Sequence, residues 1–244
     1  MKSNRDFDIE TSKRVDFIRS VLNTAKASGV VFGNSGGKDC ALVGILCKMA
    51  CPETVGLILP CGMNSAVEKD IADAKALASL YNIESRIYDI SETKNVLLNE
   101  LSKDGKLSHS AEINIIPRLR MMSLYAIAAN ENKLVAGTGN RSERYMGYFT
   151  KWGDGAYDFN PIADLTATEV LQYLEYLNAP SQIISKPPSA GLFEGQTDEA
   201  DMGVSYKSID EYLISGTCSA EDLKIIERYH RTSEHKRQAP PLFS

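Results

Sequence analysis

Residues 29–40, with the sequence GVVFGNSGGKDC, decide the fold of this protein. Val30, Val31 and Phe32 form a short apolar run of β-branched and aromatic residues, which predicts a buried strand. A glycine-rich loop at 33–37 ends this run, and a helical pattern then runs from Asp39 to residue 50. The stretch therefore predicts a strand, a tight loop and a helix in direct succession.

The same alternation continues on both sides of this stretch. Apolar runs predict further strands at 54–59, 85–90 and 134–136. Helical spacing predicts helices at 9–28, 65–81, 166–177, 205–213 and 220–230, the first of them ending at Gly29. A further long helix is predicted to run to about residue 130, with Pro117 in its first turn. After Thr138 the chain is rich in loops.

Short, uniformly apolar strands joined by helices are typical of a parallel sheet that is covered on both faces. We therefore predict the α/β class, with an open, mostly parallel twisted sheet and helices on both faces in a Rossmann-like arrangement. No internal repeat or clear linker divides the sequence. We expect one domain over residues 1–244, with a helical C-terminal part.

The composition argues against several classes of protein. Of the 244 residues, 43% are hydrophobic and 24% are charged, which excludes disorder for most of the chain. The net charge of −5 argues against a broad electrostatic grip on nucleic acid. No apolar run approaches the roughly 18 residues that span a bilayer, and the polar residues 1–8 lack the apolar core of a secretion signal. We expect a cytoplasmic protein without membrane or nucleic-acid partners.

The cysteine pattern points to reduced thiols. Five cysteines are present, and no two of them form a C-x-x-C pair. Metal-ligand spacing of that kind is therefore absent from the sequence. Cys47 and Cys51 lie four residues apart in an apolar helical stretch, where a thiol usually behaves as a small buried hydrophobic group.

The glycine-rich loop is a candidate phosphate site, because ligands of open α/β sheets bind at loops after the carboxyl ends of strands. Residues 33–40 match neither the Walker A nor the G-x-G-x-x-G motif. Their backbone N–H groups lie at the start of a helix, which favours phosphate. Ser35 adds a hydroxyl donor, and Asp39 is suited to hold Mg²⁺ against the phosphate. Taken alone, the loop also fits a plain tight turn at Gly36 and Gly37.

Several blocks of sequence resemble a known group of enzymes. SGGKD at 35–39 resembles the S-G-G-x-D-S pyrophosphate loop of the N-type ATP pyrophosphatases, which split ATP into AMP and pyrophosphate. Other blocks resemble the NAD synthetases within that group and follow one another in the same order. They are RLR at 118–120, GTGNRSE at 137–143, GYFTKWGDGAYDFNP at 147–161, KPPSAGL at 186–192, GQTDE at 195–199 and EHKR at 234–237. The resemblance runs from about residue 20 to residue 237.

The resemblance implies an ammonia-dependent NAD synthetase with an adenine nucleotide alpha hydrolase-like fold. In such enzymes ATP adenylates the carboxylate of nicotinic acid adenine dinucleotide (deamido-NAD), pyrophosphate leaves, and ammonia displaces AMP to form the amide of NAD. No protein nucleophile is needed. A chain of 244 residues leaves no room for a glutaminase domain, so free ammonia is the expected donor. Such enzymes are usually homodimers, and two roles are open for the apolar residues of the helix at 117–130: an interface between copies, or burial within their own domain.

The resemblance also implies a role for individual residues. The Mg²⁺ ligands are Asp39 and Glu143. The ATP contacts are Gly33, Asn34, Ser35, Gly36, Gly37, Lys38, Asp39, Cys40, Thr138 and Ser189. The contacts to deamido-NAD are Arg118, Lys151, Asp158, His235 and Lys236. These types suit the chemistry, because cations must offset the repulsion between a carboxylate and a triphosphate.

Two positions depart from the pattern of the family, and other interpretations stay open. Cys40 replaces a serine, and Ala167 stands where relatives often have a lysine that contacts ATP; Lys38 is one candidate replacement for that charge. Without the surrounding blocks, Glu143 could be an exposed acid and residues 235–237 a flexible basic tail. The alternatives in function are another N-type ATP pyrophosphatase, tRNA-modifying or GMP-forming, and a non-catalytic nucleotide-binding sensor.

Overall fold

The computed structural model describes residues 3–186 and 197–243. Four parallel strands form one sheet in the order β3-β2-β1-β4. The strands are β1 (Gly29–Gly33), β2 (Thr54–Ile58), β3 (Glu84–Ile87) and β4 (Lys133–Ala136). After β4 the chain returns to the sheet once more, through a parallel bridge between Ala136 and Phe159. The predicted parallel α/β fold is confirmed.

Eleven helices accompany the sheet in the described residues. Those before β4 are α1 (Phe7–Ala25), α2 (Lys38–Ala50), α3 (Ser65–Leu80), α4 (Ser91–Leu101) and α5 (His109–Asn130). Those after it are α6 (Arg141–Met146), α7 (Ala167–Tyr176), α8 (Ser181–Ile184), α9 (Asp198–Met202), α10 (Tyr206–Ser215) and α11 (Ala220–Thr232). Single 3₁₀ turns lie at Ser102–Asp104 and Glu234–Lys236.

Alternate residues of β1 face two different layers of helices. Val30 and Phe32 pack in a core with residues of α1, α2, α3 and α7. Val31 points to the other face, where it joins a core that includes Leu119 and Ala128 of α5. This alternation follows from the strand's two-residue period. Helices therefore cover both faces of the sheet, and α7 of the C-terminal part shares a core with β1.

The predicted end of the first helix is wrong by several residues. α1 ends at Ala25, and Lys26 takes the left-handed conformation that caps it, with φ 54° and ψ 35°. Gly29 is instead the first residue of β1. This position needs a glycine because a Cβ atom there would lie 2.1 Å from the carbonyl oxygen of Glu53. The backbone of the segment before β2 thus approaches Gly29 too closely for a side chain to fit. The glycine does not cap α1.

The segment between β2 and β4 also differs from the prediction. β3 ends at Ile87, and the residues that follow lead into α4, a helix that the sequence did not predict. α5 begins at His109 under a Ser108 cap, so Pro117 lies inside the helix and not in its first turn. Pro117 is buried, and Gly153 lies so close that a Cβ there would come within 2.8 Å of the proline Cβ. Tertiary packing thus outweighs the local cost of a proline in the helix.

No helix in the described ranges 3–186 and 197–243 is long and apolar enough to cross a membrane.

Candidate functional site

The strand order brings two distant loops together. The chain builds the sheet outward from β1 through β2 to β3 and then places β4 on the other side of β1. The direction of winding therefore reverses between β1 and β4, and ligands bind at such a switch point in open α/β sheets. The loop after β1 is the glycine-rich loop, and the loop after β4 holds Thr138 and leads to Glu143.

The glycine-rich loop is held in place by buried polar contacts. Asn34 is almost fully buried; its Nδ2 donates to the carbonyl of Ala74 at 3.1 Å, and its Oδ1 accepts from the N–H of Gly36 at 3.3 Å. Gly36 has a φ of +73°, and a Cβ there would lie 2.5 Å from the carbonyl oxygen of Asp70. The loop lies directly on α3, so a side chain at this position would not fit.

The loop leads into the uncapped N-terminus of α2. Gly37 is the N-cap residue, and no side chain caps this helix end. The Ser35 hydroxyl accepts from the N–H of Gly37 at 3.3 Å and lies 3.2 Å from the Cys40 sulfur. N–H groups at an uncapped helix start favour a bound anion, as the sequence predicted for phosphate.

Cys40 is buried beneath this loop. Burial raises the pKa of its thiol, although contacts with Ser35 and Thr138 act in the opposite direction. The thiol is therefore protonated at neutral pH, which fits a packing and hydrogen-bonding role and not that of a nucleophile. Thr138, from the loop after β4, therefore lies against Cys40 in the first turn of α2.

Asp39 and Glu143 meet through Asn140, and we call these three residues the acidic centre. The fully buried Asn140 donates from Nδ2 to Asp39 Oδ1 at 3.0 Å. Its backbone N–H donates to Glu143 Oε2 at 3.0 Å, and its Oδ1 accepts from the N–H of Glu143 at 3.0 Å. These last two bonds form the capping box of α6. Two acids 104 positions apart in the sequence are thus joined by one amide side chain.

Lys38 places a cation against this centre. Its ammonium is buried and lies 2.6 Å from Asp39 Oδ2 and 5.4 Å from the ring centre of Tyr206. The Tyr206 hydroxyl donates to Asp198 Oδ2 at 3.0 Å. Burial by itself lowers the pKa of Lys38. The carboxylates of Asp39, Glu143 and Asp198 together raise this pKa by more than burial lowers it, so the net shift is upward. The lysine is charged and pairs with the acids around it.

The two acids fit a divalent cation. Burial raises the pKa of Glu143 well above its usual value, and the negative charge of Asp39 raises it further. A cation between the carboxylates would remove this repulsion. No group of three or more His, Cys, Asp and Glu side chains suited to a metal occurs in the described part of the chain. Mg²⁺ is commonly bound by one or two carboxylates, with phosphate and water oxygens at its other coordination positions. Asp39 and Glu143 would supply two such carboxylates.

The predicted dinucleotide contacts Arg118, Lys151, His235 and Lys236 lie around the loop at 147–152. Arg118 Nη2 donates to the carbonyl of Lys151 at 3.3 Å, and Lys151 Nζ donates to the carbonyl of His235 at 2.6 Å. Lys236 Nζ donates to two carbonyls, those of Gly147 and Phe149, each at 2.8 Å. Residues 234–236 form a 3₁₀ turn anchored on this loop. The flexible basic tail considered from the sequence is therefore wrong.

Asp158 lies at the edge of β4, where the structure shows no contact with the acidic centre. Its carboxylate accepts from the N–H of Val135 at 2.7 Å and from the Tyr125 hydroxyl at 3.3 Å. It also lines a groove of about 420 Å³ beside Phe17 of α1. Its predicted contact with the dinucleotide stays a prediction.

Ala167 and Ser189 are two further positions singled out in the sequence. Ala167 is buried at the start of α7, where its N–H donates to the Ser142 hydroxyl at 3.1 Å. Ser189 lies outside the described residues.

Sequence reasoning assigned no role to Asn140, Asp198, Tyr206 or Lys186. Lys186 Nζ lies 2.6 Å from Asp70 Oδ1 and 3.0 Å from Asp73 Oδ2, and it donates to the carbonyl of Gly36 at 3.3 Å. It therefore ties the glycine-rich loop to α3. The N-x-x-E spacing of a capping box was the one local signal for Asn140; the other contacts depend on the tertiary fold.

Comparisons with known proteins agree with this geometry. The family model of NAD synthase matches residues 10–240. An NH₃-dependent NAD⁺ synthetase from Carboxydothermus hydrogenoformans is 45% identical, with 97% of this chain and 98% of the relative covered. The solved NMN synthetase from Francisella tularensis has a TM-score of 0.92 and 38% identity, over 98% of this chain and 99% of that one. The solved NH₃-dependent NAD synthetase from Campylobacter jejuni has a TM-score of 0.82 and 29% identity, over 98% and 100% of the two chains. The chain belongs to the NAD synthase family.

Proposed function

We propose that this protein makes NAD from deamido-NAD, ATP and ammonia. In the first step the pyridine carboxylate oxygen attacks the α-phosphorus of ATP, the bond to the β-phosphate oxygen breaks, and pyrophosphate leaves. In the second step the nitrogen of ammonia attacks the activated carbonyl carbon, AMP leaves, and a proton is lost to give the amide. The observation that supports this most directly is the joining of Asp39 and Glu143 by Asn140 beside an uncapped helix start.

Different residues of the site have different roles in the first step. The N–H groups at the start of α2 and the Ser35 hydroxyl bind phosphate oxygens, and Thr138 contacts Cys40 in the first turn of that helix. Asp39 and Glu143 would hold Mg²⁺, which, when bound, offsets the charge of the triphosphate. Lys38 keeps a positive charge at the same place. We assign ATP to residues 33–40 with Thr138, and also to Ser189 on the sequence resemblance alone.

The pyridine carboxylate needs a cationic environment that excludes water. We propose that deamido-NAD, which carries this carboxylate, is bound by Arg118, Lys151, Asp158, His235 and Lys236. Arg118 and Lys236 donate to backbone carbonyls within 147–151, and Lys151 donates to the carbonyl of His235, so the three side chains are positioned before the substrate binds. No protein nucleophile is assigned, since the thiol of Cys40 is buried and protonated.

The test is an analysis of products with ATP, Mg²⁺, ammonium and deamido-NAD. We expect NAD, AMP and pyrophosphate in equal amounts. Asp39→Asn and Glu143→Gln should each lower kcat/KM on the order of 100-fold or more, because the triphosphate charge is no longer offset. Glu175→Gln, an exposed acid on α7, serves as the control and should keep full activity. ADP as a product, or no turnover, would reject the proposal, and unchanged rates in both variants would reject the metal ligands.

The mononucleotide is a second candidate substrate. The solved structure with the TM-score of 0.92 is described as an NMN synthetase, while the NAD synthetase structure from Campylobacter jejuni has a TM-score of 0.82. Formation of NMN from nicotinic acid mononucleotide would be the same amidation on a smaller substrate. Running both substrates in the same assay decides between them by the ratio of their kcat/KM values.

We also propose that the enzyme is a cytoplasmic homodimer that uses free ammonia. All five cysteines are free thiols, as expected in a reducing compartment. Val96 of α4 and Met122 of α5 are 62% and 55% exposed, and α4 packs against α5. Exposed apolar side chains on adjacent helices favour an interface between copies.

A further inference from the structure

A second cavity lies behind the acidic centre, on the other side of α6. It has a volume of about 360 Å³, and four of its eight lining residues are arginines. They are Arg5, Arg141, Arg144 and Arg237, together with Tyr145, Ala163, Asp164 and His230. Arg141, Arg144 and Tyr145 come from one side of α6, whereas Glu143 points from the opposite side toward Asp39. The cavity is therefore separate from the site that we assign to ATP.

Most of the positive charge in this cavity is not neutralised by the protein. Within residues 3–186 and 197–243, neither Arg141 nor Arg144 has a carboxylate within the 4.0 Å of an ion pair, and the guanidinium of Arg144 is exposed. Arg141 Nη2 donates to the carbonyl of Leu213 at 3.0 Å. The one lining acid, Asp164, is already bound by Arg5 at 3.0 Å and by Arg14 at 2.6 Å.

Arg237 adds a third guanidinium that is held by neutral groups. Its Nη1 donates to the Ser233 hydroxyl at 2.7 Å and to the carbonyl of Tyr145 at 3.1 Å, and its Nη2 donates to the carbonyl of His230. Burial lowers the pKa of Arg237; the charge of Glu234 opposes this shift, and the neighbouring Arg144 adds to it. The protein thus keeps like charges close together here, although its net charge is −5. Such an arrangement costs free energy unless an anion completes it.

We propose that this cavity binds a phosphate-bearing ligand at a site distinct from the ATP site. Guanidinium groups match the oxygens of phosphate and pyrophosphate with paired hydrogen bonds, which ammonium groups cannot do. A volume of about 360 Å³ is in the range of small-ligand sites. Two aromatic rings that line the cavity stack on each other: the ring centres of Tyr145 and His230 lie 3.9 Å apart, with a 14° angle between the ring planes.

A location-specific test uses chemical modification of arginine in the full-length protein. Phenylglyoxal modifies accessible guanidinium groups, and peptide mass spectrometry gives the rate at each arginine. Pyrophosphate and, separately, inorganic phosphate should slow the modification of Arg144 at least about fivefold. Arg228, an exposed arginine on α11 that does not line the cavity, should react at an unchanged rate. Sodium chloride at matched ionic strength should protect neither.

Calorimetric titration with pyrophosphate gives the second measurement. Arg144→Glu should weaken one class of binding at least about tenfold, since a charge-assisted hydrogen bond is lost and repulsion is added. The side chain of Arg144 donates to no group in the described chain, and its backbone N–H bond to the carbonyl of Asn140 does not depend on the side chain, so this variant should fold normally. Lys224→Glu changes the net charge equally at an exposed position of α11 and should bind as the parent protein does. Equal rates at Arg144 with and without pyrophosphate, or protection by chloride alone, would overturn the proposal.

Discussion

Single residues of the glycine-rich loop show how closely the site is packed. Cys40 stands where the resembling loops have a serine, and its sulfur lies 3.2 Å from Ser35 Oγ. A thiol at this position is a weaker hydrogen-bond donor than a hydroxyl would be. Lys38, which sequence reasoning proposed as a source of missing charge, is paired with Asp39, whereas Ala167 lies in a hydrophobic cluster with Met146 and Tyr206.

Gly36 lies where an added side chain would meet the backbone of α3. Gly36→Ala should lower the free energy of unfolding by about 1–3 kcal/mol and weaken ATP binding, because the new Cβ meets the Asp70 carbonyl and the positive φ is strained. Chemical denaturation and the KM for ATP measure both effects. Gly62→Ala is the matched control: its φ is +95° with nothing within 4 Å of the added Cβ. Equal losses in the two variants would mean that backbone strain, and not the contact with α3, explains the effect.

At the scale of elements, short helices position the site. α6 has six residues, yet its capping box fixes both the start of the helix and the carboxylate of Glu143. One pair of hydrogen bonds therefore serves the fold and the candidate metal site together. At the opposite end of the sheet, the exposed strand β3 is held to the end of α5 by an ion pair between Arg86 and Glu131.

That ion pair predicts a dependence of stability on pH. Arg86 and then Lys133, whose Nζ lies 2.9 Å from Glu131 Oε2, hold the pKa of Glu131 down at about 2. A lowered pKa in the folded state stabilises the protein above the unfolded value near 4.5, and this stabilisation is lost as the pH falls toward 2. Glu131→Gln should therefore lower the free energy of unfolding by about 1–2 kcal/mol at pH 7, and by progressively less below about pH 4.5.

Urea denaturation of both proteins between pH 7 and pH 3 checks this. Glu84→Gln is the control, because Glu84 binds the same Arg86 from a side chain that is 54% exposed. It should change the free energy of unfolding by less than about 0.5 kcal/mol. A constant difference between the parent protein and Glu131→Gln at every pH would contradict the electrostatic origin.

At the scale of the whole molecule, the sequence left two roles open for the helix at 117–130. Leu124, Tyr125 and Ile127 pack against the core below the sheet, whereas Met122 is 55% exposed. The helix therefore contributes mainly to its own core, with part of its surface left for a partner. This division is the basis of the proposed dimer.

The dimer prediction is tested by sedimentation. We expect the parent protein to sediment at twice the mass of one chain. Met122→Glu combined with Val96→Glu should shift it toward the monomer, because the interface would have to bury two carboxylates. Ile214→Glu changes an apolar side chain of α10 that is 47% exposed and should leave the mass unchanged. A dimer that survives the double change does not use this face.

The family was recognised from blocks of sequence that resemble NAD synthetases. Local patterns in the sequence sufficed for the parallel strands, most of the helices and the position of the glycine-rich loop. They sufficed because apolar periodicity and glycine placement act over a few residues and do not depend on distant partners. Where a tertiary contact outweighed a local preference, the prediction was wrong, as at Gly29 and Pro117. The meeting of Asp39 with Glu143, the burial of Lys38 between acids and the arginine cavity behind α6 were decided only by the tertiary structure. The order of the strands brings these groups together across more than a hundred residues, and no local pattern records that distance.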